Sequence, residues 1–152
     1  MVDAITHEAA LGSRPARIAA LLGMKNPSLI DDVSLADTVA RGLEPAAAMA
    51  LGEVIGRGMV VGGIVPEATL RRARKTHKPL SREMSERLYE IGRVVEAARH
   101  SYGGDERAAG AFLSRPHPML DGRTPMDLAR ASSAGAEAVV NILRRADAGA
   151  VV

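Results

Sequence analysis

Five basic residues lie close together near the middle of the chain: Arg71, Arg72, Arg74, Lys75 and Lys78. No acidic residue occurs between Arg71 and Arg82. Such a cluster can bind nucleic-acid phosphates, and Thr69 or Arg72 can then contact base edges. A solvated helix end whose cations complement the helix dipole explains the same residues without a ligand. The net charge of +2 is too small to decide between the two interpretations.

A second candidate surface is the loop of residues 115–123. Pro116 and Pro118 restrict its backbone, and we expect Met119, Leu120 and Arg123 to be exposed. Rigidly held apolar side chains beside an arginine are typical of the residues that dominate binding at protein interfaces. A helical hairpin that packs on the preceding helix and binds nothing is the equal alternative from these residues alone.

Residue patterns typical of catalysis or metal binding are missing from the sequence. There is no cysteine, and the glycines of residues 52–63 lack the Lys-Ser or Lys-Thr of a phosphate-binding loop. The four histidines lie in separate segments without metal-ligand spacing, so we expect surface or capping roles for His7, His77, His100 and His117. The sequence therefore predicts a protein that is not an enzyme and holds neither a metal nor a cofactor.

The elements that position these residues are predicted to be helices. The apolar residues are mainly aliphatic, and the aromatic ones are Tyr89, Tyr102 and Phe112. This composition favours helix-on-helix packing over a sandwich or barrel. We predict an all-α helical bundle with three parts: an N-terminal arm (1–33), a helix-turn-helix region (34–100) and a C-terminal domain (101–152).

Capping residues and prolines predict where the helices begin. In the first two parts the expected helices are Arg14–Gly23, Ser34–Arg41, a helix from Pro45, a helix from Pro66 and a long one over Ser81–Arg99. In the last part they are a helix capped by Asp105 and ending near Ser114, one capped by Thr124, and a final one with Val139, Ile142, Leu143 and Ala146 on its apolar side. The arm either packs on a partner subunit or is mobile.

Targeting signals are not expected. Asp3 and Glu8 stand where a signal peptide is basic, and the longest uncharged run, Gly58–Pro66, is far shorter than the roughly 18 residues of a membrane span. The sequence therefore predicts a cytoplasmic protein without a membrane partner.

Motifs in a fixed order resemble one known family. They are Arg41-Gly42-Leu43, Thr69-Leu70-Arg71-Arg72, Pro79-Leu80-Ser81, Ser85-x-Arg87-Leu88, Phe112-Leu113, Leu120-x-Gly122-x-x-Pro125, Asp127-Leu128, Gly135, Val139 and Leu143. Together they resemble the Xre/MbcA/ParS antitoxins, most strongly over residues 79–149. Phe112 departs from the tryptophan common in the family, and residues 131–133 depart from its Thr-Glu step.

The resemblance implies an antitoxin of a type II toxin–antitoxin pair. Its partner would be a RES-type, ADP-ribosyltransferase-like toxin that acts on NAD, inhibited when the antitoxin blocks the NAD pocket. The N-terminal part would act as a helix-turn-helix reader that binds the promoter of its own operon, with residues 64–72 at the recognition helix. The antitoxin itself would need no cofactor.

Within that resemblance we predict which residues meet each partner. Toxin contacts are assigned to Met119, Leu120, Arg123, Arg144, Arg145, Val151 and Val152, with the three arginines and residues 148–152 entering a site built for an anionic dinucleotide. DNA contacts are assigned to Thr69, Arg71, Arg72, Arg74, Lys75 and Lys78. A homodimer is expected. The alternative is a stand-alone helix-turn-helix transcriptional regulator whose C-terminal hairpin dimerises it.

Overall fold

The computed structural model describes residues 12–149. Within these residues the regular structure is helical, apart from one isolated bridge between Val61 and Val65, and the predicted all-α fold is confirmed. The chain divides into two compact units, residues 1–92 and 93–152. This division falls inside a helix, and the predicted boundaries after residues 33 and 100 remain predictions.

The first unit is built from short helices and the start of a long one. Its elements are α1 (Arg14–Leu21), a 3-10 turn (Pro27–Leu29), α2 (Asp32–Arg41), α3 (Pro45–Ile55), α4 (Arg57–Val60), α5 (Glu67–Thr76) and the part of α6 (Arg82–Ser101) that ends at Gly92. The predicted end of α2 at Arg41 and the predicted start of α3 at Pro45 are confirmed. Helix α5 begins one residue later than predicted because Pro66 caps it from outside.

The cap of α2 differs from the prediction. Asp31, not Ser34, is the N-cap: its carboxylate accepts a hydrogen bond from Ser34 N at 2.8 Å, and Ser34 Oγ accepts one from Asp31 N at 3.0 Å. The two residues form a reciprocal capping box in which serine takes the place of the usual Glu or Gln. The hydrogen bond from Ser34 N to the carboxylate, followed by the Ser34 side chain, holds the pKa of Asp31 below its ordinary value of 3.8.

Helix α1 packs into the core of the first unit, which differs from the expectation of a separate arm. Ile18 and Leu22 are buried against Gly92 of α6, where an added Cβ would lie 3.4 Å from Leu22 Cδ2 and 3.8 Å from Ile18 Cγ2. An alanine Cβ would make ordinary van der Waals contact with both side chains, whereas a side chain longer than alanine would have to displace them. Residues 1–11 of the predicted arm lie outside the described residues.

A buried polar contact joins the loop before α3 to α6. Leu43 N donates a hydrogen bond of 2.7 Å to the hydroxyl of Ser85, and Leu80 N donates one of 2.8 Å to Leu43 O. Gly42 has a φ of 110°, and an added Cβ would collide with Leu80 O. Motif residues Gly42 and Ser85 thus have structural roles, since a buried N–H needs a partner and the close approach leaves no room for a side chain.

The second unit contains the remainder of α6 from Arg93, α7 (Glu106–Ser114), a 3-10 turn (Pro118–Leu120), α8 (Pro125–Ala131) and α9 (Ser133–Asp147). The predicted caps are confirmed: Asp105 Oδ1 accepts from Ala108 N, and Thr124 Oγ1 accepts from Asp127 N, both at 3.0 Å. The largest buried apolar side chains of this unit are those of Val94, Val95, Leu113, Leu120, Met126, Val139, Val140 and Leu143.

Helices α8 and α9 meet almost without a connection. Ser132 alone separates them, and its hydroxyl caps α9 by accepting from Gly135 N at 2.9 Å. Gly135 is buried, and an added Cβ would collide with the carbonyl oxygen of Leu128. The hairpin therefore depends on a glycine at this position. Ala146, predicted on the apolar side of α9, is exposed instead.

Of the helices between residues 12 and 149, none combines the length and apolarity that a membrane crossing requires.

Candidate functional site

The loop between α7 and α8 is closed by its own backbone. His117 N donates to Arg123 O at 3.0 Å, and Gly122 N donates back to His117 O at 3.2 Å. Asp121 and Gly122 have positive φ angles of 55° and 79°, which reverse the chain between these two hydrogen bonds. The expected rigidity of the loop thus comes from this pairing as well as from its prolines.

Three predicted contact residues lie on this loop, and the structure separates them. Met119 is 47% exposed and Arg123 is exposed, whereas Leu120 is only 5% exposed. The prediction that Leu120 is exposed is therefore wrong. In a 3-10 turn successive side chains point about 120° apart, so Met119 and Leu120 cannot both face solvent when one of them fills the core. Arg123 Nε donates to Leu120 O at 3.2 Å.

His117 caps the 3-10 turn that carries Met119. Its Nδ1 accepts a hydrogen bond from Met119 N at 3.2 Å, and Pro118 follows as the first residue of the turn. The capping role expected for this histidine is confirmed. The imidazole also packs edge-on against Phe112, with ring centroids 6.2 Å apart.

Tyr102 lies next to Phe112 and was not predicted as a site residue. The two ring centroids are 6.1 Å apart, and Tyr102 is 42% exposed. The scarcity of aromatic residues was the one feature of the sequence that pointed to Tyr102. The sequence could not show that its ring lies beside Phe112, since the turn between α6 and α7 brings the two rings together. Aromatic rings that are half exposed in this way are common at protein interfaces.

The predicted C-terminal cations differ in their surroundings. Glu137 lies between two arginines, with Arg93 NH1 2.8 Å from Oε2 and Arg144 NH1 4.0 Å from Oε1. Arg145 is exposed and has no ion-pair partner among the described residues. Arg145 is therefore the more available cation of the predicted pair. Val151 and Val152 lie outside the described residues.

The basic cluster lies on the solvent side of α5 and, at Lys78, just beyond its end. Arg71, Arg72, Arg74, Lys75 and Lys78 are exposed, Thr69 is half-buried, and Leu70 and Ala73 pack inward as predicted. Arg74 also lines an open groove of about 430 Å³ beside Pro45, Met49 and His77. The arrangement presents the cations to solvent, and DNA binding by them remains a prediction.

Among the residues that the structure describes, no group of three or more acidic or histidine side chains is arranged to hold a metal ion.

Most of the second unit matches the sequence model of a known domain family. Residues 97–149 match the family described as the antitoxin Xre/MbcA/ParS C-terminal toxin-binding domain. No curated protein matches the chain. The matched segment begins within α6, ends just after α9 and contains the closed loop, the Tyr102–Phe112 pair and the C-terminal cations. Residues 97–149 are therefore similar to the C-terminal toxin-binding domain of the Xre/MbcA/ParS antitoxins.

Proposed function

We propose that this protein neutralises a RES-type, ADP-ribosyltransferase-like toxin by binding it and blocking its NAD-binding site. The observation that carries the proposal is the match of residues 97–149 to a toxin-binding domain. Supporting it, Met119 and Arg123 of the same segment are exposed on an ordered loop. A rigid loop loses little conformational entropy on binding, which favours affinity.

The loop of residues 115–123 and the C-terminal residues from Arg144 onward have different roles in this proposal. Met119 supplies an apolar anchor, and the cations of Arg123 and Arg145 pair with acidic groups around the mouth of the toxin's pocket. Arg144 contributes less because Glu137 already lies within 4.0 Å of it. Residues 148–152, including Val151 and Val152, are assigned to contact with the pocket itself.

Inhibition of NAD consumption by the purified toxin tests these roles. A chain that stops after Asp147 removes residues 148–152 but keeps the hydrogen bond between Asp147 and Ser101. We expect this truncation and Arg145→Glu each to raise the concentration needed for half inhibition at least about tenfold. Arg107→Glu, at an exposed arginine of α7, is the matched control. Full inhibition by both altered chains would overturn these assignments.

Blocking of the NAD site has its own signature. If antitoxin and NAD exclude each other, raising the NAD concentration raises the antitoxin concentration needed for half inhibition, because the two compete for one state of the toxin. Inhibition that does not change with NAD concentration would place the block elsewhere on the toxin.

We also propose that α5 binds operator DNA of the protein's own operon, with residues 45–74 as the helix-turn-helix. The exposure of its four cations, and of Lys78 just beyond its end, supports this. Replacing Arg71 and Arg72 by alanine should weaken binding and reduce the slope of log affinity against log salt by about 0.9 for each lost phosphate contact. Arg82→Ala, at an exposed arginine paired with Glu86 at 3.1 Å, is the control. Equal affinity for operator and random duplex before and after substitution would overturn specific reading.

The rival function is a stand-alone transcriptional regulator with a C-terminal dimerisation hairpin. The reading frame beside this gene discriminates between the two. A neighbouring toxin that co-purifies with the chain favours the antitoxin, whereas an isolated gene and a homodimer that falls apart without residues 101–152 favour the regulator. The mass of the purified chain in solution tests the proposed homodimer.

A further inference from the structure

We infer that Tyr102, Phe112, His117 and Met119 form one continuous recognition strip for the toxin, with Tyr102 as its main anchor. This inference rests on the proposed function and adds to it three residues, Tyr102, Phe112 and His117.

The strip is continuous by contact. The ring of Tyr102 lies 6.1 Å from that of Phe112, and Phe112 lies 6.2 Å from the imidazole of His117, centroid to centroid. His117 Nδ1 in turn accepts the hydrogen bond from Met119 N at 3.2 Å. The two ends are the exposed members, Tyr102 at 42% and Met119 at 47%. The two middle residues are half-buried and hold the ends in place.

Tyr102 is presented on an ordered backbone. Its N–H donates to Ala98 O at 3.1 Å, and its carbonyl accepts from Asp105 N at 3.1 Å. A tyrosine held in this way offers a large apolar face and a hydroxyl while losing few degrees of freedom on binding. Tyrosine is also among the residues that most often dominate interface energetics.

The strip reaches the base of the tail. Ser101, the residue before Tyr102, donates a hydrogen bond of 2.6 Å to Asp147 at the end of α9. The end of α9 therefore lies beside the residue that precedes Tyr102, while Met119 marks the other end of the strip.

His117 acts as a positioning residue in this inference. Its imidazole caps the turn of Met119 through Nδ1 and stacks against Phe112 with its ring edge. Two substitutions separate these roles. His117→Asn keeps a side-chain oxygen that can accept from Met119 N, whereas His117→Ala removes both the cap and the ring.

Affinity measurements with the product of the adjacent toxin gene test the strip. We expect Tyr102→Ala to weaken binding at least about tenfold and Tyr102→Phe less than about threefold, since the ring carries the contact. His117→Ala should weaken binding about fivefold or more, and His117→Asn should recover part of it. Leu29→Ala is the control, because Leu29 is an apolar residue of the first unit that is 79% exposed. Thermal unfolding of each variant separates lost contact from lost fold.

Hydrogen exchange of the wild-type chain gives a test that needs no variant. Binding of the toxin should protect the peptides over residues 100–105 and 112–119. Toxin binding without this protection, or unchanged affinity of Tyr102→Ala and His117→Ala, would overturn the strip and leave the proposed function standing. If the wild-type chain does not bind the toxin at all, the proposed function fails and the strip fails with it.

Discussion

The hydroxyl of Ser101 donates a hydrogen bond of 2.6 Å to Oδ1 of Asp147, which joins the last residue of α6 to the last residue of α9. The last carbonyls of a helix lack partners within the helix, and helix ends fray unless other contacts hold them. The contact therefore orders the point from which the proposed toxin-binding tail leaves the unit.

Ser101→Ala should loosen the end of α9. Loss of one hydrogen bond predicts a decrease of about 1 kcal/mol in the free energy of unfolding, with faster amide exchange over residues 143–149. Ser114→Ala is the control, because that hydroxyl bonds only to carbonyls of its own helix. Equal exchange at the end of α9 in both variants would show that the side-chain contact does not order it.

Gly135→Ala should destabilise the α8–α9 hairpin. The new Cβ meets the carbonyl oxygen of Leu128, a backbone atom that cannot move without shifting a helix. We expect a loss of roughly 1–3 kcal/mol in the free energy of unfolding, measured by urea denaturation. Gly110→Ala is the matched control: it is exposed in α7 with open space around its Cβ position, and alanine should stabilise that helix by about 0.5–1 kcal/mol. Equal effects at both positions would contradict the close approach.

Alanine substitutions at Leu120 and Met119 should separate the effect on stability from the effect on toxin binding. Leu120→Ala removes a side chain that is 5% exposed and predicts a loss of about 2–5 kcal/mol of unfolding free energy. Met119→Ala should change stability by less than about 0.5 kcal/mol while weakening toxin binding. Denaturant unfolding and an affinity measurement on the same two variants decide this. A stable Leu120→Ala chain with lost binding would instead make Leu120 a direct contact.

The capping box of α2 should make stability depend on pH. The pKa of Asp31 is lowered in the folded chain by its hydrogen bonds to Ser34. Its stabilising contribution is therefore complete above the unfolded pKa of about 3.9 and is lost as the pH falls through the lower folded pKa. Asp31→Asn caps without titrating, so its unfolding free energy should fall less than that of the wild type between about pH 5 and pH 2.

Ser34→Ala tests the cause of that shift. The substitution removes the contribution of the serine hydroxyl to the lowered pKa but keeps the backbone N–H of residue 34, which is the larger cause, so the pH dependence assigned to Asp31 should shrink without disappearing. The effect is small in either case because Asp31 is exposed. Identical acid unfolding curves for the wild type and Asp31→Asn would contradict the assignment.

Local chemistry explains why most helix starts were predictable. Asp105 and Thr124 each satisfy an N–H three residues ahead, so the signal is complete within a few positions of the sequence. The start of α2 is predicted wrongly because both Asp31 and Ser34 are residue types that cap helices. The fold shows that Asp31 has the extended backbone of an N-cap and that Ser34 accepts the reciprocal hydrogen bond.

Contacts between distant residues were beyond the sequence. Leu43 N donates a hydrogen bond to Ser85, and the ring of Tyr102 lies beside that of Phe112. Arg93 forms a closer ion pair with Glu137 than Arg144 does. No spacing rule connects such pairs, because each depends on how helices pack rather than on the turn within one helix.

The sequence by itself therefore determined the helical class, most helix starts and the family resemblance, since caps, prolines and ordered motifs are local properties. Tertiary structure alone decided that Leu120 is buried while Met119 is exposed. It also decided that Asp147 accepts a hydrogen bond from Ser101 and that the ring of Tyr102 lies beside that of Phe112. Burial and proximity come from the packing of whole elements, and a linear pattern records neither.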